Sequence, residues 1–192
     1  MSRTGNPKGP PDRAPRTSSA SRGRAVAKAA LTVLCATVAL SCHIRQSLPA
    51  TPLTVAVADF DYVDTSGEVA DQSAEHRARV TAFAGLLRDN LGAQGEFRVL
   101  PFDCPDHPCT AASMPPDDFI AAARRSGARL VVYGGIRKMS TLVQWGEVQL
   151  LDIETDRLLL RRTVTFRGDT DTAFRRAALF VGDTLRDAMP KP

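Results

Sequence analysis

The sequence lacks the short motifs that identify several large enzyme classes. Its 192 residues contain no GxxxxGK[ST] phosphate loop, no GxSxG nucleophile elbow and no HExxH zinc motif. The common nucleotide-binding, serine-hydrolase and zinc-protease interpretations therefore have no support. The sequence predicts no resident metal ion and no cofactor.

The folded part of the chain also lacks a surplus of basic charge. The whole sequence has a net charge of +4, but residues 1–28 hold seven of its 25 Lys and Arg and one of its 21 acids. Residues 42–192 keep 18 basic and 20 acidic side chains, a formal charge of −2. Phosphate-driven binding needs a basic face on the folded domain, so nucleic acid is not expected as a partner.

No apolar run in the N-terminal segment reaches the roughly 20 residues of a membrane-spanning helix. Basic, Pro- and Ser-rich residues lead into a run of twelve uncharged residues after Lys28, which small residues close. This pattern predicts a bacterial export signal over 1–41 and a linker over 42–52. The residues around Cys42 resemble a lipobox, which implies lipidation of Cys42 and membrane attachment; Ala39 with Ser41, or Ala50, equally suits ordinary cleavage. The expected location is the periplasm, either free or as an anchored lipoprotein.

Only two of the four cysteines remain for the folded domain. Cys104 and Cys109 lie in the segment CPDHPC, and in an oxidising compartment they most simply form a disulfide. A ring this small would contribute about 2 kcal/mol by loop entropy, enough to fix a loop. The alternative is a metal site that uses His107 with both thiolates.

The remaining residues predict a single α/β domain over 53–189. Apolar runs predict strands at 53–60, 97–102, 129–136, 145–153 and 158–166, and amphipathic periodicity predicts helices at 68–91, 117–127 and from Asp169 or Thr170 to Met189. The segment DYVDTSGE is predicted as a turn, and His76 as a packing or capping residue. The order β-α-β-α-β-β-β-α implies a two- or three-layer sandwich with a mixed sheet, antiparallel where Thr155-Asp156 joins two strands.

Three segments carry a resemblance to a known family. They are DFDYVDTS after the first strand, a segment with Ile136, Lys138, Ser140 and Leu142, and a segment with Arg167, Gly168, Asp169, Thr170, Asp171, Phe174, Arg175 and Arg176. Over residues 54–185 the chain resembles a bacterial exported family catalogued only as a domain of unknown function. It is more distantly similar to the N-terminal domain of the TolB translocation protein and to curli-secretion-type and penicillin-binding-protein-activator lipoproteins. The resemblance implies a TolB N-terminal-like fold and an interaction module at the envelope, with no known activity.

One segment suggests an enzyme. VAVADFDYV matches the strand-then-DxD motif of haloacid-dehalogenase-type phosphatases, in which Asp59 would be the nucleophile and Asp61 the acid or base beside Mg²⁺. The later acidic motif lacks the usual spacing, and the antiparallel hairpin does not suit that fold. A small Mg-dependent phosphatase or hydrolase is therefore the alternative function.

The preferred hypothesis is a noncatalytic exported envelope domain that binds a protein or a cell-wall component. The exposed hairpin and the surface from Arg167 to Arg176 would make the contact, while Asp169 and Asp171 are explained as a helix start with Arg167 paired to one of them. A third hypothesis is a ligand sensor with a pocket near Asp64, Ser66 and Lys138. The candidate ligand- or partner-binding residues are Asp64, Ser66, Lys138, Ser140, Arg167, Asp169, Asp171, Arg175 and Arg176.

Overall fold

The computed structural model describes residues 51–105 and 108–191, and all its regular elements lie between Leu53 and Ala188. The strands are β1 Leu53–Val57, β2 Asp61–Asp64, β3 Phe97–Leu100, β4 Leu130–Lys138, β5 Val143–Asp152 and β6 Arg157–Arg167. The helices are α1 Ser73–Gly92, α2 Pro116–Arg125 and α3 Asp171–Ala188. The predicted signal, Cys42, His107 and most of the linker lie outside the described residues. No helix of the described part has the length and apolarity needed to cross a bilayer.

The six strands form one mixed sheet in the order β3-β1-β4-β5-β6, and β2 also pairs with β4. The pairs β1–β3, β1–β4 and β2–β4 are parallel, because helices connect those strands; β4–β5 and β5–β6 are antiparallel hairpins. The predicted α/β class with a mixed sheet is confirmed. Asp156 has a φ of 51° in the β5–β6 turn, a left-handed conformation that Asp tolerates better than most residues.

Helices cover both faces of the sheet. On one face, the buried residues Val55 and Val57 of β1 pack with α1 and α3 in the larger core. On the other face, Ala56 and Ala58 pack with Phe119 of α2 in a smaller core. Strand β1 alternates between the two cores because successive side chains point to opposite faces, and a strand covered on both faces has the continuous apolar run seen in the sequence.

The segment predicted as a turn after β1 is partly wrong, because its first four residues form β2. Strand β1 ends its pairing with β4 at Val57↔Val132, and β2 resumes it at Asp61↔Gly135. The chain advances by four residues between these pairs, whereas β4 advances by three, so one extra residue is accommodated as in a β-bulge. Strand β2 is polar and half exposed, so it lacked the apolar pattern from which the other strands were predicted.

Helix α1 is shorter than predicted and begins at Ser73 instead of Glu68. The preceding residues, Thr65 to Gln72, form an irregular segment. Thr65 donates to the carbonyl of Lys138 from its backbone nitrogen at 2.9 Å and from its hydroxyl at 2.8 Å. The side chains of Glu68 and Gln72 also bind Lys138, so contacts with β4 hold this segment.

Candidate functional site

The most unusual feature of the interior is a completely buried lysine at the end of β4. Lys138 is 0% exposed, and its Nζ contacts Asp169 at 2.8 Å, Gln72 at 2.9 Å and Glu68. These three acceptors match the three donors of an ammonium group. Asp64, which is exposed, lies 3.7 Å from the same nitrogen. A buried charge is tolerated when it is paired and hydrogen-bonded, and Lys138 meets both conditions.

A buried histidine from α1 binds the same aspartate. His76 is 2% exposed, and its Nε2 lies 2.7 Å from Oδ2 of Asp169. Its ring packs on Tyr62 with the ring centroids 4.7 Å apart. His76 was predicted as a packing or capping residue, and it does pack; the bond to Asp169 adds a link between α1 and the start of α3.

Arg79 completes the link between these helices. Its Nη1 donates to Asp169 at 2.8 Å and its Nε to Asp171 at 3.0 Å. Thr170, the N-cap of α3, accepts a hydrogen bond from the backbone of Ala173, which confirms the predicted start of that helix. The cations that pair with Asp169 and Asp171 thus come from β4 and α1, and not from Arg167 as expected. We call Asp64, Glu68, Gln72, His76, Arg79, Lys138 and Asp169 the Lys138 network.

Within the network, Asp169 and Lys138 both keep their charged forms. Burial alone would raise the pKa of Asp169, but hydrogen bonds from Lys138 and His76 outweigh it and hold that pKa below its usual value. Burial alone would lower the pKa of Lys138, but its bonds to Asp169 and Glu68 and the nearby negative charges raise that pKa above its usual value. Lys138 is therefore a protonated structural cation near neutral pH, without the lowered pKa of a nucleophilic lysine.

The stability of the protein should depend on pH through this network. A carboxylate whose pKa is lowered by folding, such as Asp169, contributes stability that is complete above its unfolded pKa of about 4 and is lost as the pH falls through the folded pKa. A lysine whose pKa is raised, such as Lys138, contributes stability that is complete below about pH 10 and is lost as the pH rises through its folded pKa. We expect a plateau from about pH 5 to pH 10 with a decline on each side.

The free energy of unfolding in urea, measured across pH for the wild type and for the Asp169→Asn variant, checks this expectation. The destabilisation caused by Asp169→Asn should be large at pH 7 and should shrink as the pH falls below about 4, where the wild-type carboxylate is protonated in the unfolded chain and begins to be protonated in the folded one. A difference that stays constant from pH 7 to pH 3 would show that Asp169 does not act through its charge.

The structure divides the predicted binding residues into separate groups. Asp64, Lys138 and Asp169 come together in the network. Ser66 donates to Asp64 from its hydroxyl at 2.7 Å and from its backbone at 2.8 Å, and these bonds lower the pKa of Asp64. Ser140 accepts hydrogen bonds from Leu142 and Val143 in the β4–β5 turn. Asp171 is tied to Arg79, and Arg167, Arg175 and Arg176 are exposed on β6 and α3.

Sequence reasoning missed most of the Lys138 network. Glu68, Gln72 and Arg79 lie in the predicted helix at 68–91 and were not predicted as site residues, and Gln144 of β5 was not considered. Gln144 is 0% exposed, pairs with Lys138 in the sheet, and within the described residues both polar atoms of its side chain lack a partner. The Tyr62 hydroxyl is likewise buried and unpaired there.

A pocket of about 330 Å³ opens over the network. It is lined by Glu68, Gln72, Glu75, Arg79, Thr141 and Asp169.

A larger cleft, of about 920 Å³, lies between α1 and the loop after β3. This loop contains the Cys104–Cys109 bond, so the predicted disulfide is confirmed. Asp59 accepts from Arg88 at 3.3 Å and from the backbone of Cys109 at 3.1 Å, and Asp61 accepts from the backbone of Ala112 at 3.2 Å. Both carboxylates of the DxD motif thus hold the disulfide loop, and the described residues contain no group of three or more His, Cys, Asp or Glu arranged to bind a metal ion.

A third feature is a groove between β6 and α3. It has a volume of about 510 Å³ and is lined by Arg162, Thr163, Val164, Thr165, Phe166, Arg167, Ala173, Arg176, Ala177 and Phe180. Strand β6 is the last strand of the sheet, and among the described residues it pairs with β5 alone. Two of the predicted partner-binding residues, Arg167 and Arg176, therefore line one groove beside the outer edge of β6.

Comparison with known proteins identifies the family but no activity. Residues 53–184 match the model of a family described as a protein of unknown function (DUF2380), which confirms the predicted resemblance to such a family. No curated protein matches the chain in sequence.

Several solved structures are similar at low sequence identity. TolB from Acinetobacter baumannii has a TM-score of 0.47 and 17% identity, over 73% of this chain and 29% of that chain. The PelC dodecamer from Paraburkholderia phytofirmans has a TM-score of 0.44 and 15% identity, over 73% and 90%. The LpoB C-terminal domain from Escherichia coli has a TM-score of 0.40 and 14% identity, over 62% and 87%. The chain matches only 29% of TolB, and similarities at this level carry no functional argument.

Proposed function

The chain belongs to the DUF3280 family, whose model is described as a protein of unknown function (DUF2380), and we propose from its own residues that it is a noncatalytic, exported cell-envelope domain that binds a partner. The contact would be made by the β5–β6 hairpin and by the exposed arginines of β6 and α3. The chain would act by binding, because the groups that could do chemistry are engaged in holding the fold together.

The distribution of charge is the observation that supports this proposal best. In the interior, Lys138 uses its three donors on Asp169, Glu68 and Gln72, so it can reach a ligand only by breaking the network. On the surface, no carboxylate of the described chain pairs with Arg162, Arg167 or Arg176, which line one groove. A domain with a formal charge of −2 thus carries a local positive patch, and such a patch steers an acidic partner.

Export is supported by two independent features. The predicted signal over 1–41 has the basic start, the apolar centre and the small residues that secretion requires. The Cys104–Cys109 disulfide of the folded domain is the kind of bond that persists in oxidising compartments and is rare in the cytosol. We propose the periplasm as the location, with lipidation of Cys42 as the means of membrane attachment.

The intact mass of the mature protein, isolated from the membrane fraction of its own organism, tests export and anchoring. We expect a chain that begins at Cys42 and carries the added mass of a diacylglyceryl group and an acyl chain. A bare chain that begins after Ser41 or Ala50 would keep export and remove the anchor. A protein that retains residues 1–41 would contradict export altogether.

Site-specific photo-crosslinking in the producing organism tests the binding face. A photoreactive residue at Phe180, which is 53% exposed beside the groove, should form a discrete adduct with a partner. The control position is Gln94, an exposed residue between α1 and β3 near the opposite edge of the sheet. Equal adducts from both positions, or none from Phe180, would argue against the proposal.

A further inference from the structure

Strand β6 presents a long, unpaired edge. It spans eleven residues from Arg157 to Arg167, and in the described chain its only sheet neighbour is β5. The backbone N–H and C=O groups along its other side are therefore available to another strand. Natural proteins usually shorten, cover or charge such an edge because it invites indiscriminate pairing with other chains. Here it stays long, and a groove runs beside it.

The groove has a floor that suits the side chains of an added strand. Val164 and Phe166 of β6 and Ala173 and Ala177 of α3 line it with apolar surface, and Phe180 forms an exposed wall. In β-strand addition, main-chain hydrogen bonds along the edge give affinity, and pockets for alternate side chains give specificity. The unpaired edge and the apolar groove provide these two components side by side.

The polar lining of the groove fixes the charge of the occupant. Arg162, Arg167 and Arg176 line it, and the described residues offer none of them a carboxylate; Arg161, by contrast, is paired with Glu147 at 3.0 Å. An arginine guanidinium binds a carboxylate through two parallel hydrogen bonds. Three unneutralised guanidinium groups along one strand and the facing helix therefore favour a strand that carries several acidic side chains.

The same charges disfavour the two occupants that this chain could itself supply. In a two-fold antiparallel pairing of β6 with a second copy centred on Arg162, Arg162 would face its own copy and Arg157 would face Arg167. Like charges directly opposite one another destabilise a strand pair. The linker at 42–52 contains His43 and Arg45 and no acidic residue, so it does not complement the arginines either.

We propose that the edge of β6 and the β6–α3 groove bind, by β-strand addition, an extended acidic segment of another polypeptide. On the face of the sheet that α3 covers, the segment carries carboxylates that pair with Arg162 and Arg176 and apolar side chains that lie on Val164, Phe166 and Phe180. On the opposite face a further carboxylate pairs with Arg167, because Arg162 and Arg167 are five positions apart in β6 and point to opposite faces of the sheet. This inference rests on the proposed binding function and adds to it the chemical class of the partner and the manner in which it docks.

An NMR titration of the isotope-labelled full chain tests the docking. The probe is a ten-residue synthetic peptide of the repeat Glu-Glu-Val-Val, which places both glutamate and valine on each face of an extended strand. The controls are the same peptide with lysine in place of glutamate, and the glutamate peptide with every backbone nitrogen methylated so that neither edge can donate. The glutamate peptide should shift and protect backbone amides within Arg157–Arg167, and both controls should bind at least tenfold more weakly. The R162Q/R167Q/R176Q variant should weaken the glutamate peptide at least tenfold.

Several results would overturn the inference. Equal binding of the lysine peptide, or undiminished binding of the methylated peptide, would each do so. Perturbations confined to residues away from β6 would do so as well. Protection of β6 that rises with protein concentration in the absence of peptide would identify a second copy as the occupant. If a partner crosslinks to Phe180 but the peptide leaves the β6 amides unchanged, this inference fails and the binding function stands. If no partner crosslinks to Phe180, the binding function fails as well.

Discussion

The Asp169→Asn substitution is expected to lower the free energy of unfolding by about 3 to 5 kcal/mol at pH 7, the usual cost of leaving a buried charge without its partner. Asp169 receives Lys138, His76 and Arg79, and its side chain is only 11% exposed. An asparagine keeps the volume but not the charge, so the fully buried Lys138 loses one of the two carboxylates that contact it and retains Glu68. Chemical denaturation with urea measures the loss directly.

Asp171→Asn is the matched control for this substitution. Asp171 lies two residues further along, also binds Arg79, and is 85% exposed, so its removal should cost no more than about 1 kcal/mol. A double-mutant cycle with Lys138→Met should show that the two changes together cost less than the sum of the single changes, because the two side chains are in contact. Equal effects of the Asp169 and Asp171 variants, or strict additivity in the cycle, would show that the Lys138 network does not stabilise the domain.

The Gly134→Ala substitution should also be strongly destabilising, by about 2 to 3 kcal/mol as in other overpacked sites. A Cβ built on Gly134 would lie 2.1 Å from the carbonyl oxygen of Glu147 and 3.0 Å from the ring of Phe60. The first of these is backbone, so β4 and β5 would have to separate where they pair. Thermal or urea unfolding of the purified variant gives the magnitude.

Gly85→Ala provides the control of opposite sign. Gly85 lies within α1, and a Cβ there has no heavy atom within 4 Å. Alanine should therefore stabilise the protein by about 0.5 to 1 kcal/mol through the higher helix propensity of alanine. A Gly134→Ala variant that is as stable as the wild type, or more stable, would show that β4 and β5 do not pack closely at Gly134.

The sequence predicts the apolar framework well because that framework depends on local pattern. The amphipathic spacing of α1 and α3 and the continuous apolar run of β1 come from periodicities that any chain with one or two buried faces must show. The turn at Thr155-Asp156 and the cap at Thr170 follow from the local chemistry of those residues. These parts of the prediction needed no knowledge of distant contacts.

The parts that could not be predicted depend on partners that are distant in sequence. A lysine normally marks an exposed position, so Lys138 gave no sign of being buried. Its burial requires Glu68, Gln72 and Asp169, which lie 70, 66 and 31 positions away. Strand β2 was missed for the same reason. Its sequence is polar, and it pairs with β4 because β1, the strand before it, already lies beside β4. Arg167, Arg175 and Arg176 were expected at the surface and are exposed there.

The central claim is that buried charges hold this domain together and that exposed arginines on β6 and α3 bind its partner. The most direct test is the crosslink from position 180 in a chain that also carries R162Q, R167Q and R176Q. Exposed charge changes of this kind should leave the free energy of unfolding within about 0.5 kcal/mol per site. The account predicts that the stable variant loses the adduct at least tenfold, and an undiminished adduct would contradict it.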